Sequence, residues 1–374
     1  MIPYTLLLKR FQLWGLLHRT KKVNRTLKFD AVIIRVDAIG DYIIWRDSFK
    51  AYENHFHEKK VLLICADIVQ PLAEQESLFS EIWSFNRKQI LEDHSYLNSF
   101  LKKVTSISSD IVINPLWSRH PVGDVIVKSI QAPKKIGMVG NCSHDLLWKW
   151  YNRYYTRLID NPDTTSELTA VEYYTQNVIS SDYQYGNNSL DVSTGSCIIC
   201  GKYIVVAISA SDKYKVWPIN NFVAVIDSLP SEYTIVLSGA GQDDVIRAEE
   251  IIRDVKINKH IINMINKTNL PQLVSLIGHA SLVIGNDSAA VHIAAATRIP
   301  SVCILHGAHF GRFLPYPETH IPLQFNPKVV YYRMDCYGCG YHCVKRKSVA
   351  YECLNRVTVG MVCHEIGSVI NICK

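Results

Sequence analysis

Short apolar runs alternate with amphipathic stretches along most of the chain. The first run, residues 31–36, leads into a polar turn, 37–41, and then into apolar positions at helical spacing. Continuous apolar runs of this length are typical of strands that are covered on both faces, and their alternation with helices predicts a parallel sheet. In this half we expect further strands at 61–65, 81–85 and 111–114, and helices at 88–104 and 167–180.

The alternation starts again after a polar stretch. Residues 182–195 are rich in Asn, Ser, Gly and Asp, a composition typical of a linker. Two such α/β halves predict two Rossmann-like, doubly wound domains facing a cleft, with ligands at the carboxyl ends of the strands. The second series of strands is expected at 203–208, 233–237, 260–264, 281–284 and 301–305.

These patterns predict five consecutive parts. They are an N-terminal segment, a first domain, a linker, a second domain and a cysteine-rich end, at residues 1–28, 29–185, 186–200, 201–335 and 336–374.

The composition is that of a globular protein, with no membrane-spanning run and no charge that requires a nucleic-acid partner. Of 374 residues, 48% are hydrophobic and 20% charged, and no run of 18 apolar residues marks a membrane span. The net charge of +6 is mild, and nucleic acid is not required to explain it. We expect a cytoplasmic protein whose oligomeric state the sequence leaves open.

Part of the positive charge lies in the N-terminal segment. Apolar Leu7, Phe11, Trp14 and Leu17 recur there at near-helical spacing, which predicts a basic amphipathic helix. This helix either contacts an anionic membrane surface peripherally or packs on the protein itself. The cations that precede the first acidic residue, Asp30, are Lys9, Arg10, Arg19, Lys21, Lys22, Arg25 and Lys28.

The turn after the first strand reads Ala38-Ile39-Gly40-Asp41. It lacks the G-x-G-x-x-G pattern, which argues against a nicotinamide-binding domain. Gly40 would allow a tight turn. Asp41 is a candidate general base, and its alternative role is to cap the following helix.

Two turns of the second half carry candidate ligand-binding groups. Lys215 follows the strand at 203–208, where its ammonium would neutralise a diphosphate or lie exposed in the loop. After the next strand, two glycines at 239 and 241 permit close approach, and Asp243 and Asp244 could bind ribose hydroxyls.

Residues 284–296 predict a buried strand, a polar turn and a helix. Asp287 and Ser288 can cap this helix, whose free N–H groups and positive dipole end would face a phosphate. An ordinary capped turn with no ligand is the alternative.

Taken together, these turns resemble glycosyltransferase family 9, the lipopolysaccharide heptosyltransferases. The resemblance extends over about residues 30 to 365. The motifs that carry it, in order, are Asp37-Ala38-Ile39-Gly40-Asp41, Lys215-Val216-Trp217-Pro218, Ser238-Gly239-Ala240 and Gly285-Asn286-Asp287-Ser288-Ala289-Ala290-Val291-His292-Ile293-Ala294-Ala295-Ala296.

The resemblance implies a GT-B fold with a first, acceptor domain and a second, donor domain. It implies inverting, metal-independent transfer of a sugar, typically from ADP-heptose, to a lipopolysaccharide or other lipid-linked glycan at the cytoplasmic face of the inner membrane. Asp41 matches the family's base and Lys215 its phosphate-binding lysine. On this basis the catalytic residues are Asp41 and Lys215, the acceptor side is Gly40 and Asp41, and the donor-binding residues are Ser209, Lys215, Gly239, Ala240, Gln242, Asp287, Ser288, Ala289 and His292.

The donor signature departs from the family pattern D-T-G-x-x-H at two positions. Ser288 replaces Thr and keeps the hydroxyl, whereas Ala289 stands where Gly is usual and crowds the approach to the phosphate. Ala289 and the imperfect match of the loop at 242–244 leave open a non-catalytic nucleotide- or glycan-binding protein of this fold. The cysteine-rich end leaves open a transferase that glycosylates protein hydroxyls.

Six of the eleven cysteines lie in the last 39 residues. Cys336, Cys339, Cys343 and Cys353 supply four thiolates, which suit a tetrahedral zinc or iron site. Some relatives resemble the chain in having a cysteine-rich end, and a subset of them binds iron. Reduced packing thiols and a disulfide remain alternatives. No cofactor is expected for catalysis.

Overall fold

The computed structural model describes residues 26–140, 146–186, 189–190, 192, 199–345 and 350–370. The predicted amphipathic segment lies almost wholly outside them, as does most of the predicted linker. The chain divides into two compact units, Met1–Thr164 with Thr169–Tyr183, and Thr165–Leu168 with Gln184–Lys374. Among the described residues, none of the helices is long and apolar enough to cross a membrane.

The first unit is built on six parallel strands in the spatial order β3-β2-β1-β4-β5-β6. This is the Rossmann strand order. The strands are β1 (Leu27–Arg35), β2 (Val61–Ala66), β3 (Glu81–Phe85), β4 (Ile107–Asn114), β5 (Lys134–Met138) and β6 (Arg157–Ile159). The helices are α1 (Ile39–Arg46), α2 (Phe49–His55), α3 (Gln70–Ala73), α4 (Arg87–Glu92), α5 (His94–Val104), α6 (Pro121–Ser129), α7 (Leu146–Tyr151) and α8 (Glu167–Val178).

The helix expected at 88–104 is two helices. Asp93 separates them because its Oδ1 accepts from the backbone N–H groups of Ser95 at 2.8 Å and Tyr96 at 3.2 Å. An Asp that satisfies the first N–H groups of a helix starts a new one. The apolar periodicity ran through this break, so the pattern alone did not reveal it.

The second unit repeats this arrangement. Its six strands are parallel and lie in the order β12-β11-β10-β7-β8-β9, which again is Rossmann order from the first strand of the unit. They are β7 (Tyr203–Ala207), β8 (Thr234–Ser238), β9 (Ile261–Asn263), β10 (Leu282–Asn286), β11 (Ser301–Ile304) and β12 (Lys328–Val330). The helices are α9 (Ile219–Ser228), α10 (Gln242–Asp254), α11 (Leu270–Gly278), α12 (Ala289–Ala296), α13 (Glu352–Asn355) and α14 (Val359–Val369).

The C-terminal residues complete the core of the second unit. Leu354 in α13 and Val362 and Ile366 in α14 are buried in the same cluster as strands β7 to β11. The indole Nε1 of Trp217 donates to the carbonyl of Val357 at 2.9 Å. The predicted cysteine-rich end therefore contributes packing to this unit.

In each sheet the strand order reverses between two central strands. These are β1 and β4 in the first unit and β7 and β10 in the second. Loops diverge at the carboxyl ends of such strands and leave a crevice where α/β proteins bind ligands. The predicted α/β fold class is confirmed, and Asp41, Lys215 and Asp287 follow β1, β7 and β10.

Candidate functional site

Asp41 lies at the carboxyl edge of the first sheet. It is the third residue of α1, and its Oδ2 accepts from the backbone N–H of Ala38 at 3.3 Å. Ala38, rather than Asp41, occupies the N-cap position. The carboxylate is partly exposed and makes a long bond to a neutral donor. It can therefore accept a proton from a substrate at this edge.

Gly40 does not form the tight turn that the sequence predicts. It lies inside α1, and it is absent from the described residues whose backbone φ is positive. The turn before the helix therefore needs no glycine at this position.

Arg35, at the end of β1, shapes the turn that leads to Asp41. Its side chain is 1% exposed, forms an ion pair with Asp37 and donates from Nη2 to the backbone carbonyl of Asp41 at 2.9 Å. The guanidinium lies 4.9 Å from the ring centroid of Trp45. Sequence reasoning missed this residue, although an arginine inside an apolar run is a signal, because buried Arg is nearly always paired.

A second buried network lies after β4. Asp124 is fully buried, and its Oδ1 accepts from Arg119 Nε at 3.1 Å and from the Tyr155 hydroxyl at 2.5 Å. Asn114 Nδ2 donates to the same hydroxyl at 2.6 Å. Burial raises the pKa of Asp124, and the nearby guanidinium of Arg119 opposes that shift. Sequence reasoning missed this network, which ties the loop after β4 to α6.

Lys215 lies in a short 3-10 helix, Lys213–Lys215, that follows β7. Asp212 caps this turn, because its side chain accepts from the N–H of Tyr214 at 2.8 Å. The Lys215 ammonium donates to Ser211 Oγ at 2.9 Å and lies 4.3 Å from the ring centroid of Tyr341.

Asn286 connects the loops that follow β7 and β10, the two strands between which the strand order reverses. Its buried amide accepts from the backbone N–H of Trp217 at 2.9 Å and donates to the carbonyls of Ile208 at 3.1 Å and Ser209 at 3.4 Å. The segment that carries Lys215 is thereby fixed next to Asp287. Among the predicted donor residues, Ser209 takes part in this contact through its backbone.

Replacing Asn286 by Ala is expected to lower the free energy of unfolding by about 3 kcal/mol, because it leaves a buried N–H and a buried carbonyl unsatisfied. Guanidinium denaturation followed by tryptophan fluorescence measures the change, since Trp217 is one of the groups that lose a partner. Asn220→Ala, at an exposed position of α9, is the matched control. An unchanged denaturation midpoint for Asn286→Ala would contradict this role.

The predicted anion site is the start of α12. Ser288 occupies the N-cap position, but its side chain makes no capping bond, contrary to the predicted cap. Ala289 is the first helical residue and is partly exposed. An N-terminus without a side-chain cap leaves its N–H groups to bind a ligand anion.

His292 is directed into the packing of the second unit. It is 5% exposed, and its Nδ1 lies 2.5 Å from the hydroxyl of Tyr316. In this structure the histidine of the predicted signature therefore contacts a buried tyrosine.

His306 lies beside Asp287 and was missed by sequence reasoning. Its Nδ1 accepts from the backbone N–H of Ala308 at 3.2 Å, so a neutral ring carries its proton on Nε2, 3.5 Å from Asp287 Oδ2. Burial lowers the pKa of His306 to about 4, although the carboxylate of Asp287 opposes the shift. Near neutral pH the ring is uncharged, and its Nε2 lies near Asp287 but forms no hydrogen bond with the described residues.

The loop after β8 is held by its own side chains. Asp244 is buried, and its Oδ2 accepts from the N–H of Ala240 at 3.0 Å while Oδ1 pairs with Arg247 at 2.6 Å. A Cβ at Gly239 would lie 2.7 Å from Asp244 Oδ2, so a larger residue there would have to displace this carboxylate. Both carboxylate oxygens of Asp244 therefore bond within the protein, whereas Gln242 and Asp243 are exposed at the start of α10. Ribose binding by these acids stays a prediction.

The four C-terminal cysteines come together only partly. All four are free thiols, and they line one small cavity with His306 and Tyr351. Burial raises the pKa of Cys353, and the neighbouring thiols act in the same direction. Among the described residues, however, no group of three or more His, Cys, Asp or Glu is placed to hold a metal ion. As described, the four thiols do not form a metal centre.

The sequence model of glycosyltransferase family 9 (heptosyltransferase) matches residues 123–330, more than half of the chain. The chain belongs to glycosyltransferase family 9. The predicted family is confirmed, and the protein is a glycosyltransferase.

Individual relatives agree with the family assignment. The lipopolysaccharide heptosyltransferase 3 of Escherichia coli K12 is 25% identical to this glycosyltransferase over 295 residues, which cover 75% of this chain and 84% of that protein. The structure of E. coli heptosyltransferase WaaC with ADP-2-deoxy-2-fluoro heptose aligns with a TM-score of 0.67 at 14% identity, covering 92% of this chain and all of the other.

The iron-containing, dodecameric heptosyltransferase TibC of E. coli H10407, in complex with ADP-D-β-D-heptose, aligns more distantly. Its TM-score is 0.52 at 16% identity, and the alignment covers 94% of this chain and 78% of TibC. At these identities the two solved structures support the fold of this glycosyltransferase and nothing finer. They confirm the predicted GT-B class.

The second unit of the glycosyltransferase brings several predicted donor residues together. The charges of Asp287 and Lys215 both act on His306, so these groups are neighbours at the carboxyl edge of the second sheet. Asp41 lies at the corresponding edge of the first sheet. His292, by contrast, is buried against Tyr316.

Proposed function

We propose that this glycosyltransferase transfers heptose from ADP-heptose to a hydroxyl of a lipopolysaccharide or other cell-surface glycan, with inversion at the anomeric carbon. The observation that carries the proposal is that Lys215, Asp287 and the uncapped start of α12 lie together. They lie at the carboxyl ends of β7 and β10, where the strand order of the second sheet reverses. A cation beside a helix N-terminus is a suitable site for a diphosphate.

Lys215 and the first N–H groups of α12 would bind the diphosphate of the donor. As the bond between the sugar and the diphosphate breaks, negative charge grows on the leaving ADP. A fixed ammonium and oriented N–H groups stabilise that charge more in the transition state than in the bound donor. In this proposal the leaving group needs no metal ion.

Asp41 would act as the general base. The acceptor oxygen forms a bond to the anomeric carbon from the face opposite the diphosphate, and its proton passes to the Asp41 carboxylate. The single displacement inverts the configuration at that carbon. The partial exposure of Asp41 and its long contact with the N–H of Ala38 support this role, because neither removes the capacity of the carboxylate to take a proton.

The acceptor and the location of the enzyme follow from the same proposal. An acceptor that is lipid-linked would place the enzyme peripherally at the cytoplasmic face of the inner membrane. The basic residues of segment 1–28 support contact with anionic lipid. The printed name of the E. coli relative, a lipopolysaccharide heptosyltransferase, agrees with a glycan acceptor.

Calorimetric titration with ADP-, GDP-, UDP- and dTDP-sugars tests the donor, and a transfer assay tests the reaction. We expect ADP-heptose to bind and to release ADP when membrane glycolipid is added. Modification of purified protein in place of glycolipid would instead identify protein hydroxyls as the acceptor. Binding of a nucleotide sugar without hydrolysis or transfer would show a non-catalytic protein.

A structural zinc or iron at Cys336, Cys339, Cys343 and Cys353 stays a prediction. Thiolates are suitable ligands for either metal. In this structure the four thiols are not placed to hold a metal ion, so they would have to move closer together to bind one. Elemental analysis of the purified full chain tests this. A stoichiometric amount of zinc or iron would support the site, and its absence would reject it.

A further inference from the structure

Tyr341, in the cysteine-rich C-terminal segment, has an unusual backbone conformation. Its φ is 68°, in the left-handed region that bulky side chains rarely adopt. Such outliers persist where the surrounding structure holds them, and they cluster at ligand-binding sites. The preceding residue, Gly340, fixes the turn by donating its N–H to the carbonyl of Ala308 at 3.0 Å.

The loop around Tyr341 lies directly on the strand-end turn that carries His306. Gly338 N–H donates to the carbonyl of Gly307 at 2.8 Å. A Cβ on Gly307 would lie 2.4 Å from the ring of Tyr337, so the two segments approach as closely as glycine permits. These contacts between the loop and residues 307–308 fix the position of Tyr341.

This position puts the Tyr341 ring against Lys215. The ammonium lies 4.3 Å from the ring centroid, within the range of a cation–π interaction. The ring in turn packs edge-on against His309 at 4.6 Å and is stacked with Tyr351 at 6.3 Å. The Tyr341 ring is thus packed against His309 and Tyr351 and also contacts the Lys215 ammonium.

The ring contact restricts a side chain that is flexible by nature. A lysine stem has four rotatable carbons, and an ammonium in solution samples many positions. Here the Ser211 hydroxyl and the Tyr341 ring both hold the Lys215 ammonium. These two contacts restrict where the ammonium can lie.

We infer that Tyr341 positions Lys215 for the donor diphosphate, and that the C-terminal cysteine-rich loop is therefore part of the donor site. The inference rests on the proposed role of Lys215. It assigns a positioning role to a residue that none of the recognised donor motifs contains. The loop contributes to donor affinity through this ring.

Tyr341→Asn is the variant that tests the inference. Asn adopts the left-handed conformation more readily than other side chains, so the loop backbone is kept while the ring is removed. We expect ADP and inorganic pyrophosphate to bind about fivefold more weakly, the size of one cation–π contact, and the KM for donor to rise more than kcat falls. Adenosine should bind as it does to the wild-type chain.

Two further variants separate positioning from a structural effect. Tyr341→Phe keeps the ring and should bind pyrophosphate as the wild-type chain does. Tyr332→Leu removes an exposed ring just before that segment and should leave binding unchanged. Thermal unfolding of each variant shows whether it is folded, and the comparison with Phe holds even if the Asn variant loses stability.

A double-mutant cycle with Lys215→Ala decides whether Tyr341 acts through the lysine. We expect Tyr341→Asn to have no further effect on pyrophosphate binding in that background. Losses that add, an equal loss of adenosine binding, or unchanged binding by Tyr341→Asn would each overturn the inference and leave the proposed function standing. A wild-type chain that binds neither ADP nor pyrophosphate would refute the proposed donor site, and the inference with it.

Discussion

Asp41→Asn is expected to reduce sugar transfer by about a thousandfold, the range of a lost general base. The amide oxygen of Asn can still accept from the N–H of Ala38, so the start of α1 should be preserved. The affinity for ADP should stay close to that of the wild-type chain, because Asp41 belongs to the first unit and the proposed donor site to the second. The loss should therefore appear in kcat.

The assay for Asp41 measures ADP release in the presence of acceptor, together with calorimetric titration of ADP. Asp67→Asn is the matched control. Asp67 follows β2 at the same edge of the first sheet, where its carboxylate accepts from Asn86 Nδ2 at 2.8 Å. Transfer by the Asp67 variant should remain near the wild-type rate. Wild-type turnover by Asp41→Asn would refute the base assignment.

Lys215→Ala is expected to weaken the binding of ADP and of pyrophosphate by about 30-fold, as for the loss of a charge-assisted contact. Transfer should slow as well, because the leaving diphosphate loses a counter-charge in the transition state. Binding of adenosine, which lacks phosphate, should not change. This pattern would locate the lysine at the diphosphate.

Lys213→Ala is the control for Lys215. Lys213 belongs to the same 3-10 helix and is exposed, with its ammonium 5.1 Å from the ring centroid of Tyr214. The two variants remove the same charge within one short turn, so general electrostatic effects of charge removal are matched. Equal losses for both lysines would indicate non-specific attraction, and unchanged kinetics for Lys215→Ala would remove it from the mechanism.

The sequence predicted the longer buried strands and their order along the chain with small errors. The strand at 81–85 was predicted at its observed limits, and β1 proved to begin four residues earlier than expected. Strands such as β5, β6 and β12 were not predicted. They are short, and β5 begins with two lysines, so they carry little apolar pattern of their own.

The candidate site was predicted unevenly for a similar reason. Lys215 and Asp287 were found because each follows an apolar strand in a polar turn. His306 also follows a strand, β11, but nothing in its local pattern separates it from an ordinary buried histidine. Its place in the site depends on Ala308, whose N–H orients the ring, and on the nearby Asp287, and these contacts exist only in the folded unit.

By itself the sequence determined the α/β class, the repetition of the Rossmann pattern and the family. Buried parallel strands and the turns that follow them require particular residue types at particular spacings, which can be seen locally in the sequence. Only the tertiary structure decided which polar groups are neighbours. In the fold, His292 is buried against Tyr316, the Asp244 carboxylate bonds to the N–H of Ala240 in its own loop, and the Tyr341 ring lies against the Lys215 ammonium. These outcomes depend on packing between segments far apart in sequence, which no local pattern specifies.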